Sequence, residues 1–94
     1  MPRESQLEAR FRKKVSTDLG GASYKLAPID AGIPDRLVLL PGGRVELVEL
    51  KTETGKLRRV QEVWHRRAAA LGTPVTVLAG REAIDAWVES RRDG

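Results

Sequence analysis

The chain has 94 residues, 40% hydrophobic and 32% charged, with a formal net charge of +4 and a pI near 10. Such a length predicts one domain, residues 1–94, with a small core, and a domain this size often gains stability by pairing with a second copy. No cysteine and a single histidine exclude disulfide scaffolds, thiolate metal sites and thiol nucleophiles, while the basic balance points to a polyanionic partner such as nucleic acid.

The opening MPRESQLEARFRKK lacks the apolar segment of a secretory signal, and no run approaches the ~18 apolar residues of a membrane span, so a cytoplasmic location without a membrane partner is expected. From Ser5 to Leu19, the residues Leu7, Phe11, Val15 and Leu19 recur every four positions, the spacing of one helix face, and Gly20-Gly21 closes the pattern. ASYKLAPI, from Ala22 to Ile29, predicts a short strand. The breakers of DAGIP then lead into DRLVLL and RVELVELK, two strands of a hairpin turned at Pro41-Gly42-Gly43.

From Gly55 to Leu71, a stripe of Leu57, Val60, Trp64, Ala68 and Leu71 predicts a second helix with Arg58, Arg59, Arg66 and Arg67 on its other faces. PVTVLA, from Pro74 to Ala79, reads as a buried strand, and Ala83, Ile84, Trp87 and Val88 form the stripe of a last helix ending in SRRDG. Helix, three strands, helix, strand, helix is the order of an α/β fold with a mixed sheet covered by helices. Its crossover is right-handed if the third and fourth strands run parallel. Trp64 and Trp87 are expected to pack in a core or an interface, and His65, lacking a second His or Cys, to be a surface residue.

The hairpin holds the unusual chemistry. Alternation puts Glu49 and Lys51 on one face of the third strand, and counting back from the turn brings Asp35 opposite the neighbourhood of Glu49. Two carboxylates that converge repel unless they share a proton or hold a cation. An oxygen-rich pair with open positions suits Mg²⁺ or Mn²⁺, and a lysine beside it can orient a water or stabilise charge growing on a phosphate. A Glu-x-Lys is also common on a solvated strand face. What raises it here is the Asp after a Gly-rich break, the Glu-x-Lys across a compact hairpin, and the helix that follows.

With those residues in place, GIPDRLVLL…VELVELKTETGKLRRVQ resembles the VRR-NUC domain, a branch of the PD-(D/E)xK nuclease superfamily, from about Glu8 to Ala79. Gly32, Pro34, Asp35, Glu49, Lys51 and Gln61 carry the likeness. It implies a restriction-endonuclease-like fold with a core order αβββαβ plus a C-terminal helix, and a divalent-metal-dependent DNA endonuclease. Asp35, Glu49 and the Leu50 carbonyl would be metal ligands, Lys51 the catalytic lysine, Gln61 a neighbour of that lysine or of the water, and Glu8 a further acidic ligand. Either of the last two can equally be a plain helix-surface residue.

Short stand-alone members, frequent in phages, resemble Holliday junction resolvases in being homodimers, which implies branched DNA as the substrate and no small-molecule cofactor. Lys56, Arg58 and Arg59 are the candidate phosphate contacts, against a solvated basic face as the rival. The run Arg10, Arg12, Lys13, Lys14 is another basic face that could guide a DNA arm. Two readings from other classes stand beside the enzyme: a catalytically inactive DNA-binding module with a nuclease-like fold, and a protein-interaction domain.

Overall fold

Leu7, Phe11 and Val15 stand one turn apart, and helix α1 (Glu4–Leu19) buries all three in a computed structural model that describes residues 3–92. Strand β1 (Ala22–Lys25) follows, then the hairpin strands β2 (Arg36–Leu40) and β3 (Arg44–Lys51). Helix α2 (Arg59–Ala70), strand β4 (Val75–Ala79) and helix α3 (Arg81–Arg92) complete the chain. The sheet order is β1-β2-β3-β4, with β1, β2 and β3 antiparallel and β4 parallel to β3. This is the mixed α/β sheet predicted, and among the described residues no helix is long and apolar enough to cross a membrane.

Because side chains alternate along a strand, Val38, Leu40, Val48 and Leu50 all point to one face, where they meet Leu7, Phe11 and Val15 of α1 and Ile84, Trp87 and Val88 of α3. Phe11 and Trp87 lie with ring centroids 5.2 Å apart. Fully burying side chains of this kind is worth ~1.5–3 kcal/mol each. The Arg10–Asp85 ion pair between the same helices spans 2.7 Å, but both side chains are over a third exposed, so it adds at most ~1 kcal/mol. Packing thus docks α3 on α1, and the pair sets orientation. Arg91 bonds both carboxylate oxygens of Glu46 at 2.6 and 2.8 Å and lies over the Trp87 ring, tying α3 to β3.

The opposite sheet face belongs to α2. Here the periodicity misleads: Val60 is 42% and Leu71 74% exposed, and the residues α2 buries are Gln61 and Ala68. The helix also begins at Arg59 rather than Gly55, because Gly55 N–H closes a turn on Thr52 C=O and Gln61 Oε1 accepts from Arg58 N–H at 2.8 Å to cap the first turn. β1 stops at Lys25, and β4 is an edge strand burying only Leu78, with Val77 40% exposed, rather than the buried strand its composition suggests. Asp93 and Gly94 lie outside the described residues.

One close approach fixes the loop that leads to Asp35. Gly32 has φ of 85°, and a Cβ there would sit 2.1 Å from the Val60 C=O of α2. Gly32→Ala is therefore expected to lower stability by about 2 kcal/mol through the positive φ and the collision together, read as a fall in the denaturation midpoint.

Candidate active site

The register explains how Asp35 and Glu49 meet. Arg36 pairs with Val48, so the next residue outward on each strand is Asp35 opposite Glu49, both on the α2 face. One step further Leu50 comes opposite Pro34, which has no N–H to give. Ladder bonding stops there. The Leu50 N–H goes instead to Asp35 Oδ1 at 3.2 Å, and Pro34 has no N–H to offer its carbonyl. The Pro-Asp step thus ends β2, fixes the Asp35 carboxylate and frees a backbone oxygen beside it.

Asp35 and Glu49 open into a hollow of about 490 Å³, lined also by Gly32, Arg58 and Gln61. Burial, reinforced by the charge of Asp35, pushes Glu49 up to about 7, against the pull of Lys51 and Arg58. Asp35 is also raised, chiefly by burial, with the Leu50 N–H opposing and the charge of Glu8 adding to the rise. Glu49 Oε1 is buried without a hydrogen-bond partner. Two converging carboxylates with raised pKa values and an unpartnered oxygen are a donor pair that a divalent cation stabilises. Among the described residues no three His, Cys, Asp or Glu side chains form a complete metal cage, so the shell would be filled by the Leu50 carbonyl and water.

No protein-family model matches the chain. A phage protein is similar: the chain is 38% identical over 81 residues, 85% of this chain and 86% of the relative, to "Putative nuclease p44" of Acyrthosiphon pisum secondary endosymbiont phage 1. Among solved structures, a VRR_NUC domain superposes with a TM-score of 0.72 at 33% identity, covering 87% of this chain and 94% of that one. The chain belongs to the VRR-NUC family of nucleases.

Within this VRR-NUC fold the predicted site residues separate into three groups. Asp35, Glu49, Gln61 and Arg58 share the hollow, and Lys51 follows on the same strand face as Glu49. Gln61 is buried with its Oε1 committed to capping α2, which locks its side chain beside Glu49. Glu8 stands in the neighbouring hollow, where its Oε1 faces Arg36 Nη1 at 3.4 Å and Lys25 Nζ at 3.5 Å. It acts on Asp35 through charge rather than contact.

Lys56 is exposed, while Arg59 lines a separate apolar groove with Val60, Val63 and Trp64. On α1, Arg10 and Lys14 are taken up by Asp85 and Asp18, which removes half of the basic run from service as a free face. Trp87 is in the core, as predicted.

Two residues of consequence were not singled out by the sequence. Arg36 is 3% exposed and bonded to Ser23 Oγ and Ser23 C=O, which anchors β2 next to Asp35 and gives Glu8 a partner. His65, expected on the surface, turns inward: its side chain is 12% exposed, with Nε2 3.7 Å from Glu49 Oε1. Burial and the nearby Lys51 charge hold the imidazole below its ordinary pKa. The available clue was its i+4 spacing from Gln61.

Proposed function

We propose that the chain is a divalent-metal-dependent DNA endonuclease that hydrolyses phosphodiesters of branched DNA, such as four-way junctions, as a homodimer. The observation that carries this reading is the half-buried Asp35 and buried Glu49 in one open hollow with Arg58, with the Leu50 N–H on Asp35 and Lys51 next on the strand face of Glu49. Asp35, Glu49 and the Leu50 carbonyl would hold Mg²⁺ or Mn²⁺, which keep waters and accept phosphate oxygens as further ligands. When bound, the ion supplies Lewis acidity toward a phosphoryl oxygen and a nucleophile at neutral pH. Glu8 would contribute through its field or through a water, since Arg36 and Lys25 draw its Oε1 into the neighbouring hollow.

Lys51 orients the attacking water and stabilises the charge that develops on the scissile phosphate. Gln61, held by its cap bond, offers its amide N–H groups to the same water or phosphate. Arg58, with Lys56 and Arg59 on either side in sequence, anchors the DNA backbone. Arg58 has no carboxylate partner among the described residues, so its charge is available to phosphate. Arg58→Ala is expected to weaken binding to all DNA sequences alike and to reduce the slope of log affinity against log salt by about 1, measured by fluorescence anisotropy.

Exposed apolar residues on the α2 side, Leu39, Val45, Val63 and Leu71 among them, support a dimer. Two sites related by a two-fold axis match the symmetry of a four-way junction. The test is incubation with labelled four-way junction, duplex and single-stranded DNA in Mg²⁺, Mn²⁺ or chelator, beside sedimentation velocity. Metal-dependent cleavage, fastest on the junction, is expected. No cleavage of any DNA with binding intact leaves a binding module built on a nuclease fold.

A further inference from the structure

Glu49 Oε1 and His65 Nε2 are both sealed from solvent, both without a hydrogen-bond partner, and face one another at 3.7 Å, just beyond bonding distance. A buried polar atom left unpaired costs about 1–3 kcal/mol, so two that nearly meet are stabilised by closing the gap. A small rotation of either side chain would do so. The placement comes from α2: Gln61, His65 and Ala68 follow one another at i, i+4 and i+7, and the first and last are buried against the sheet.

An ionised carboxylate only accepts, so the group opposite it must donate, which selects the imidazole tautomer with hydrogen on Nε2. No other polar side chain is bonded to Oε1, whereas the carboxylate as a whole lines the hollow with Asp35.

We propose that His65 is a positioning residue: its Nε2–H donates to Glu49 Oε1, fixing the carboxylate so that Oε2 faces the hollow beside Asp35. The inference rests on the reading of Glu49 as a metal ligand. Groups bonded to a metal ligand from behind typically govern affinity by 10–100-fold.

His65→Phe keeps a ring and removes the donor, whereas His65→Gln sets an amide N–H near the position of Nε2–H. Mn²⁺ titration of the metal-free proteins by calorimetry is expected to show roughly 10–100-fold weaker binding for His65→Phe and affinity near the wild type for His65→Gln. Thermal melting in chelator should leave both folded. Wild-type affinity in His65→Phe, or equal loss in both variants, overturns the assignment. A wild type that binds no Mn²⁺ overturns the metal reading instead, and the pairing then has its own test.

The chain has one histidine, so an imidazole ¹⁵N spectrum contains its signals alone. In alkaline buffer with chelator, a protonated Nε2 whose resonance moves in Glu49→Ala supports the bond. A protonated Nδ1, or a spectrum indifferent to Glu49→Ala, shows that no such bond exists.

Discussion

Lys51→Ala is expected to lower the rate of DNA cleavage by about 10²–10⁴-fold while leaving Mn²⁺ binding intact, and Asp35→Ala to abolish both. Asp35 immediately precedes β2 and Lys51 ends the adjoining β3, yet their charges do opposite things to a cation. Asp35 is a carboxylate fixed by the Leu50 N–H and near enough for its charge to raise Glu49, and removing it takes away one of the two carboxylates offered to an ion. Lys51 is a positive group close enough to pull Glu49 downward, so it competes with a cation for that carboxylate. Its removal relieves the competition, and metal affinity should hold or rise.

The loss in Lys51→Ala then falls on the chemical step, where the ammonium stabilises the phosphate. Calorimetry with Mn²⁺ and single-turnover cleavage of the preferred DNA separate the effects. A Lys51→Ala enzyme within tenfold of wild type would remove that lysine from the chemistry, and an Asp35→Ala protein that binds Mn²⁺ as tightly as wild type would remove Asp35 from the ligand set.

How much of this was legible beforehand depended on which force placed each residue. The α1 face, the hairpin and α3 follow apolar periodicity because burial of Leu7, Phe11, Val15, Ile84, Trp87 and Val88 is what holds them. The Asp35–Glu49 juxtaposition followed from counting outward from the turn, since a hairpin register leaves little freedom: Leu40 does pair with Arg44. Helix α2 obeyed a different rule. It turns Gln61, His65 and Ala68 toward the sheet and leaves Val60, Val63 and Leu71 exposed, so its inward face cuts across the apolar stripe.

A polar inward face cannot be told from a solvated one by hydropathy, which is why His65 read as a surface residue and why Gln61 was ambiguous. Glu8 was read toward the metal, but no pattern in α1 reveals that a buried Arg36 will stand in front of it. The function of Pro34 was likewise invisible until the register showed which amide it withholds.

In chelator, the stability of the protein is expected to fall as pH rises from 5 to 8, and Glu49→Gln to cancel most of that fall. Glu49 sits at about 7 in the folded chain against an ordinary 4.5. Below 4.5 both folded and unfolded chains carry the proton, and above 7 neither does. Between these limits the native state binds a proton that the unfolded state has released, so each step up in pH favours unfolding. Integrated over that window the loss is about 3 kcal/mol, and Asp35, raised by the same burial, adds to it in the same direction.

Glu46, Asp85 and His65 have the opposite sign. Arginine partners hold the two carboxylates below their ordinary range, so their contribution is lost as pH falls through acid values. Burial holds the imidazole down, so its contribution is lost as pH falls below 6.5 and offsets part of the Glu49 effect. The comparison of variants isolates Glu49 from them. Glu49→Gln should be more stable than wild type in chelator at alkaline pH, by up to about 3 kcal/mol, because the buried charge is gone and the side chain keeps its size. Adding Mn²⁺ should reverse the order, stabilising wild type by about 4.1 kcal/mol at a thousand times its dissociation constant and the variant by far less. Urea melts across the pH range, with and without Mn²⁺, measure all of this. Equal pH slopes for the two proteins in chelator would mean that the Glu49 charge is already neutralised within the fold, and the hollow would then have no electrostatic reason to take up a cation.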